Sequence, residues 1–377
     1  MNRRKIDIVR NYLQTSRNIA AHRQRPFPAV LFRIVAARIF YGMGPDVYDR
    51  RRFEDKRLTQ SREYMALRER EELQRSLCPT DARVLVEDKL RFHGECRRAG
   101  LPTPVLYGVF ARDDAAAPDG IPVIRTKQEL RRFLDALPRG RYVAKPIDGG
   151  HGRGVVIFEL ADGGFRGLED RFREFDRFAG LLTDGRYSSV GYLFQEFVQP
   201  HPELKSVMPG PGLGTFRVVT FLVGEDGVSI PFAVLKIPVG DSVTDNFDTG
   251  YSGNWVCPVD VETGTLGNAV GKSAAVPVFA EIETRPDTGA VFRHVTAPLW
   301  QEVKATVARS ARAFCALRTM GWDVAVTENG PTLIEANWDW GENIIEVAHG
   351  RGLRRELTEL TLKSLPAGTG MRPAGSG

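Results

Sequence analysis

The chain has 377 residues, 42% of them hydrophobic and 26% charged, with a formal net charge of +5. That length supports two or three structural units, and that balance excludes a disordered or fibrous chain. The four cysteines (Cys78, Cys96, Cys257, Cys315) lack metal-type spacing and are too few to staple so large a fold, so free thiols in a reducing, cytoplasmic compartment are expected.

The net charge is unevenly spread. Residues 1–44 hold nine Lys and Arg against one Asp, leaving the remainder near neutral to slightly acidic. A basic arm of this kind suits a membrane surface, nucleic acid or an acidic partner. Because the body of the chain is not basic, no nucleic-acid partner is expected. Within the arm Leu31, Ile34, Val35 and Ile39 recur at helical spacing, interrupted by Arg33 and Arg38. The pattern fits a helix packed on the protein's own body with its basic face in water. It also fits a peripheral membrane contact through residues 1–44. No uncharged run is long enough to span a bilayer, and no secretory signal opens the chain.

Residues 1–83 read as a helical region without a convincing strand, ending in a charged segment, 62–75, expected to be a solvated helix. Asp88-Lys89 opens a further helix, which Gly100 stops ahead of Pro102. A strand follows over 105–110, then a polar loop over 113–118. Thr126 and Glu129 form a capping box for a helix with Leu130, Phe133, Leu134 and Leu137 on one face. Strands are expected over 141–146, 155–160, 193–198, 215–223 and 229–237, then a long loop over 240–254. A helix over 301–320 feeds a hairpin, and the Gly/Pro/Ser-rich tail, 366–377, is expected to be disordered. Helices, strands and hairpins in mixed order give an α+β fold, not a doubly wound parallel sheet.

The hairpin, residues 321–337, carries the first chemical signal. Two runs rich in Val, Ile, Leu and Thr flank Asn329-Gly330, and alternation places Leu333, Glu335 and Asn337 on one face. A two-residue loop of Asn329 and Gly330 would set Asp323 opposite Ala336, on the wrong face. A three-residue loop, Glu328-Asn329-Gly330, sets it opposite Glu335 and gathers Asp323, Glu335 and Asn337 into one patch of hard oxygen donors. Such a patch suits Mg²⁺; a hairpin with a merely wet polar face would share the pattern. Apolar neighbours on both sides argue for burial, and a buried carboxylate needs a counter-charge.

The second signal is Gly149-Gly150-His151-Gly152-Arg153-Gly154, with Lys145 at the end of the strand before it and a strand after it. Glycines let backbone N–H groups approach phosphate oxygens. A Rossmann or Walker loop would require a helix there, so a flap between two antiparallel strands, covering a nucleotide triphosphate, fits better. The third is Phe194-Gln195-Glu196-Phe197-Val198, a strand leading into the Gln-Pro-His-Pro turn before Glu203. Its backbone suits an adenine and Glu203 a ribose, although a plain strand and loop would read the same way.

These pieces together resemble the ATP-grasp superfamily, and most nearly its sugar-transfer-associated group. The likeness runs over about residues 35 to 360 and is carried by Tyr41-Gly-Met-Gly-Pro-Asp-Val-Tyr48, the Asp88-Lys89 helix ending in Gly100-Leu-Pro-Thr-Pro104, Ala144-Lys-Pro146 with its glycine loop, and Gln195-Glu-Phe-Val198 with His201. It continues through Gly214-Thr-Phe-Arg217-Val-Val-Thr220, the Asp245-Asn246 loop, Arg285-Pro-Asp-Thr-Gly289, Ala297-Pro-Leu-Trp300 and the hairpin.

The resemblance implies an ATP-grasp fold, two α+β subdomains clasping Mg-ATP, with a helical extension at the N-terminus. The expected division is 1–83 for the extension, 84–192 for the subdomain with the glycine lid, and 193–365 for the subdomain with the metal site. Lys89 and Lys145 would touch phosphates, with Gly149, Gly150, His151 and Gly152 as lid. Gln195, Glu196, Phe197 and Val198 would hold adenine, Glu203 the ribose, and Asp323, Glu335 and Asn337 the Mg²⁺. Catalysis would fall to Arg217, Lys236 and Lys145, and substrate binding to Arg217, Asp245, Asn246 and Gly250. His201, between prolines, is expected to hold the hinge.

The implied chemistry is attack of a carboxylate on the γ-phosphate, giving an acylphosphate that an amine captures, in polysaccharide or glycoconjugate synthesis. The same clasp would serve phosphoryl transfer to a hydroxyl, or a non-catalytic nucleotide-binding partner of a glycosyltransferase. Two departures stand out. No small parallel-sheet domain precedes the core, and Arg285 stands where the group carries His.

Overall fold

The computed structural model describes residues 3–112, 120–150, 152–162, 164–169, 172–224, 227–273 and 276–365. Six helices come first: α1 (Arg3–Arg23), α2 (Phe27–Tyr41), α3 (Pro45–Arg50), α4 (Leu67–Leu77), α5 (Thr80–Glu87) and α6 (Lys89–Arg98). Local chemistry sets their ends. Asp88 caps α6 by accepting from Leu90 N at 2.8 Å and Arg91 N at 3.1 Å, and Gly100 closes it at φ +61°.

The first sheet has the order β2-β1-β6-β3-β4-β5, from β1 (Leu106–Ala111), β2 (Val123–Ile124), β3 (Gly140–Pro146), β4 (Val156–Ala161), β5 (Gly164–Gly167) and β6 (Gly191–Glu196). Only the β1–β2 pair is parallel. Helices α7 (Lys127–Ala136) and α8 (Phe175–Asp184) supply apolar faces to a core centred on Phe158, Phe178 and Phe194. The Thr126–Glu129 capping box forms as expected.

The second sheet is antiparallel throughout, in the order β11-β10-β9-β8-β7-β12-β13. Its strands are β7 (Thr215–Val223), β8 (Gly227–Ile237), β9 (Trp255–Pro258), β10 (Ala269–Gly271), β11 (Ala280–Ile282), β12 (Thr319–Thr327) and β13 (Gly330–Asn337). Helices α9 (Trp300–Ala313), α10 (Glu342–His349) and α11 (Arg354–Ser364) complete the unit, whose core includes Phe216, Trp300, Trp322 and Trp340.

Four expectations are corrected. The helix expected over 301–320 ends at Ala313, because Thr319 and Met320 pair with Phe221 and Thr220 of β7. The boundary between 192 and 193 falls inside β6, which pairs with β1 and β3, so the chain leaves the first sheet only after Glu196. The helical region is not one extension. Leu73, Leu77, Ala82 and Val86 of α4 and α5 enter the second sheet's core, while α1–α3 build a small core of their own around Ile34, Tyr48 and Phe53. For the same reason the segment 62–75 is not simply solvated. The loop over 113–118 and the tail 366–377 lie outside the described residues.

Candidate active site

The hairpin closes with Thr327 opposite Gly330, a two-residue loop of Glu328 and Asn329, not the three-residue loop expected. That register alone would leave Asp323 facing Ile334. A bulge between Leu333 and Glu335 takes up Ile334 and restores the pairing of Asp323 with Glu335. The bulge also reverses the alternation. Leu333 packs in the core, whereas Glu335 and Asn337 line the cleft between the sheets, so the three do not share a face.

The cleft encloses 520 Å³. Across its floor Arg217 of β7, Asp323 of β12 and Glu335 of β13 stand in one row, because each is the register partner of the next. Arg217 grips both Asp323 oxygens, through Nε to Oδ1 and through Nη2 to Oδ2 at 2.9 Å, and its Nη1 donates to Trp340 O at 2.8 Å. Lys236 Nζ donates to Asp323 Oδ2 at 2.9 Å and Asp245 Oδ1 at 3.1 Å. Asp245 in turn accepts from Thr215 N at 2.9 Å and from its hydroxyl. Glycine at 321 makes room for this: a Cβ there would lie 2.3 Å from Trp340 Cβ and 2.8 Å from Arg217 Cδ.

Burial acts on each group. For Asp323 it would raise the carboxyl's pKa, but Arg217 and Lys236 outweigh it and hold the group well below the usual carboxylate range. Asp245 goes the other way, pushed up by burial and by Asp323 despite Lys236. Lys236 itself is raised, since Asp245 and Asp323 overcome the cost of burying its charge.

The opposite wall holds cations of a different kind. Lys145, at the end of β3, is buried, and its Nζ donates to the Ile334 carbonyl at 3.3 Å. Burial, aided by neighbouring Lys89, lowers its pKa to about 8. Lys89, on the first turn of α6, donates to Gly149 O, and burial lowers it too, opposed by Glu335. Neither ammonium has a carboxylate in ion-pair contact among the described residues, in contrast to Lys236. A buried and a half-buried ammonium group without carboxylate partners among the described residues are suited to an anion.

Gly149, Gly150 and Gly152 cover this wall. Gly152 has φ +68°, and a Cβ on it would meet Thr244 at 2.9 Å, so the flap of the first sheet rests on a loop of the second. His151 lies outside the described residues. Gln195, Glu196, Phe197 and Val198 line the cleft beside apolar Val143, Ile157 and Ile334. The Glu196 carboxylate is taken by Val105 N at 3.1 Å, which leaves the backbone and flanking side chains to line the slot.

Two expected residues fall elsewhere. Glu203 is exposed on a short helical turn and does not line the cleft. Gly250 lies beyond it, against Phe279, while Asp245, Asn246, Asp248 and Thr249 supply the lining. His201 accepts from Glu203 N through Nδ1 at 3.3 Å, and its backbone N–H donates to Val326 O at 2.7 Å, which ties the segment after β6 to β12. Arg285 is buried away from the cleft, donating to Val207 O at 2.8 Å and pairing with Asp287.

Sequence reasoning missed Arg70, Arg153, Asp339 and Asn343, which line the cleft. Arg70 pairs with Glu342 at 3.3 Å across 272 positions, a contact no local pattern announces.

The hard-oxygen set fits a divalent cation in kind. Glu335 and Asn337 face the cleft, and Asp323 Oδ1 keeps a lone pair beyond its bond to Arg217, whereas Oδ2 spends both of its own on Arg217 and Lys236. Asn337 Nδ2 donates to Glu335 Oε1 at 3.2 Å. Among the described residues no group of three or more His, Cys, Asp or Glu side chains is placed to hold a metal.

The family described as sugar-transfer associated ATP-grasp matches residues 68–361, most of the chain and every cleft element from α4 to β13. The chain belongs to this ATP-grasp family. No curated protein matches it. Among solved structures it is similar to the ATP-grasp ligase PsnB complexed with minimal precursor, Mg and ADP, at 18% identity and a TM-score of 0.34, covering 76% of this chain and 62% of that one. It is also similar to D-alanine-D-alanine ligase from Helicobacter pylori, at 13% identity and TM-score 0.39, covering 75% and 59%. L-amino acid ligase from Bacillus licheniformis follows at 13% identity and TM-score 0.38, covering 75% and 49%. The ATP-grasp chain thus spans less than two thirds of each of these proteins.

Proposed function

We propose that this protein is an Mg-ATP-dependent carboxylate ligase that forms an acylphosphate and passes its acyl group to an amine. The observation that carries the reading is a pair of lysines without carboxylate partners among the described residues, half-buried Lys89 and buried Lys145, in one cleft with Glu335 and Asn337. Polyphosphate oxygens answer the first pair and a divalent ion the second, so one ligand, a metal-bound triphosphate, satisfies both walls.

Each residue then has work that its contacts permit. The slot at 195–198 takes the adenine, Lys89 and Lys145 the phosphates, and the glycine flap closes over them. Asp323, Glu335 and Asn337 would hold Mg²⁺, which supplies charge neutralisation at the transferring phosphoryl group. Arg217 spends three of its five N–H donors on Asp323 and Trp340 and keeps two for the phosphoryl oxygens. An acid bound beside Arg217 attacks the γ-phosphorus, and ADP leaves. An amine then attacks the acyl carbon and inorganic phosphate departs. Lys236, fixed between Asp245 and Asp323, keeps Asp323 ionised through both steps. The link to a sugar draws only on the family's description as sugar-transfer associated; an amine acceptor, a cytoplasmic setting and a role in polysaccharide or glycoconjugate synthesis belong to the same proposal. The basic residues 1–44 give this enzyme a peripheral contact with a membrane.

The test is ADP release from ATP by the purified protein, with candidate acids and hydroxylamine as trap. A hydroxamate supports the ligase. ADP without hydroxamate for every acid would replace it with phosphoryl transfer to a hydroxyl, and no turnover with any acid would leave a nucleotide-binding scaffold. Turnover is expected to fall at least about a hundredfold in Glu335→Ala and to stay within a few-fold in His201→Ala.

A further inference from the structure

Helix α2 is apolar on both sides. Val30, Ile34 and Ala37 pack into the small core with Ile19, Tyr48 and Phe53. The outer side is apolar as well: Phe32 is 73% exposed, Ile39 69%, Phe40 74% and Val35 37%. Pro28, Phe32, Val35 and Ile39 fall at steps of four, three and four, one stripe running roughly 16 Å along the helix. Exposed Ile6, Ile8 and Val9 of α1 lie at the same end as Ile39 and Phe40, since Asn11 Nδ2 donates to Asp46 Oδ2 at 3.0 Å just beyond the end of α2. The stripe lies outside the cleft, and Phe32, Ile39 and Phe40 are each more than two thirds exposed, so it stands out as a ridge.

The two helices that carry these apolar side chains also carry cations. Arg23 and Arg25 are neutralised by Glu54 and Asp55, and Arg33 is spent on Tyr48 and on backbone carbonyls. Arg10, Arg17 and Arg38 are exposed and have no carboxylate within ion-pair distance among the described residues. Between Asp7 and Asp46 the sequence has no acidic residue.

We propose that the outer face of α2, with Phe32, Val35, Ile39 and Phe40 at its centre and Arg10, Arg17 and Arg38 around it, seats this protein on the surface of an anionic lipid bilayer. The inference names the surface and the lipid charge behind the membrane contact proposed for residues 1–44, on which it rests, and it holds whatever reaction the cleft performs. An apolar ridge in an acid-free basic field sinks into a soft, negatively charged interface. A second copy of the chain fits poorly, because symmetric pairing through α2 would bring two equally basic surfaces together. No helix among the described residues is long and apolar enough to cross a membrane, so the contact lies at the surface.

The experiment uses the full chain and vesicles of phosphatidylcholine, with or without about one part in three of phosphatidylglycerol. Co-sedimentation at low salt is expected to be at least about tenfold stronger with the anionic vesicles, and to collapse in about 0.5 M NaCl. The triple variant Phe32→Ser, Ile39→Ser, Phe40→Ser is expected to lose about tenfold or more of this binding with its thermal unfolding transition unchanged. As a second probe, Phe40→Trp should shift its emission to the blue when anionic vesicles are added. Protein that stays in solution with anionic vesicles at low salt overturns the proposal. So does undiminished binding by the triple variant, and so does a wild-type dimer that the triple variant dissociates. ATP turnover is not part of the readout, so failure of the ligase reading and failure of this one are told apart.

Discussion

Lys145 is the residue on which the cleft's charge logic turns. Its ammonium is buried against Lys89, and the ionised form is disfavoured down to a pKa of about 8. In the unfolded chain it keeps its proton to above pH 10. The folded protein therefore binds fewer protons between about 8 and that value, so its contribution to stability rises with pH there and its full cost is felt below 8. Phosphate oxygens reverse the balance by favouring the ammonium. ADP binding at about pH 8.5 is expected to take up close to half a proton or more, an uptake lost in Lys145→Met. Calorimetry in two buffers of different ionisation enthalpy reads it directly. Affinity should fall as pH climbs beyond 8. At the same scale, Gly321→Ala forces a methyl between Trp340 and Arg217. Its cost is expected to be about 1–3 kcal/mol in denaturant titration, with turnover lost as the Arg217–Asp323 grip shifts. Residue types singled out groups that the fold brings to one cleft: lysine before a glycine loop, two acids and an amide on a hairpin. They could not announce Arg70, whose place in the cleft goes with its pairing to Glu342, 272 positions away, nor that Glu203 would stand outside it.

Element by element, the hairpin shows how a correct pairing can arise by another route. The turn chemistry of Asn329-Gly330 pointed to a hairpin, but Gly330, at φ +116°, opens the returning strand instead of ending the loop. The one-residue correction is made at Ile334, in the middle of β13. Periodicity reports faces only while alternation lasts, so the assignment of Leu333 to the side of Glu335 failed at the bulge. The bulge also leaves the Ile334 carbonyl where Lys145 reaches it. Deleting Ile334 would make the ladder continuous and keep Asp323 opposite Glu335 and Val324 opposite Leu333. It is expected to leave the fold intact but to weaken nucleotide binding roughly tenfold, the loss of one charge-assisted hydrogen bond that positions Lys145. Equilibrium titration with a fluorescent ATP analogue measures it. An unchanged affinity would mean that the tether does not matter.

Over the whole molecule, the two sheets and their order of strands follow signals that are local in the chain, while the partition of the helices does not. Helices α4 and α5 join the second sheet because Leu73, Leu77, Ala82 and Val86 enter one core with Phe221 and Trp322 of its strands, residues far away in sequence. Residues 46–64 are fastened to α10 through Glu346, fully buried and 2.8 Å from Arg51 Nη2. Burial outweighs Arg51, and with Glu342 nearby the Glu346 carboxyl rises to about 7. A carboxyl raised in the folded state costs stability as pH climbs from its unfolded value of about 4.3 towards 7. Glu346→Gln, which does not ionise, should therefore gain on the wild type across that window, by up to about 3 kcal/mol above pH 7, and show no such gain near pH 4. Thermal unfolding at a series of pH values checks the sign, and a gain that shrinks with rising pH would refute it.

Helix α6 belongs to neither half alone. Its Leu90 is embedded beside Leu106, Val109 and Leu193 of the first sheet, and its Phe92 and Cys96 are embedded in the core of the second. Lys89, the residue that opens this helix, thus rides on an axle shared by both jaws. Any parting of the jaws would have to rotate or shear that axle and carry Lys89 with it, so in the ligase reading a wider mouth and a looser hold on phosphate come together.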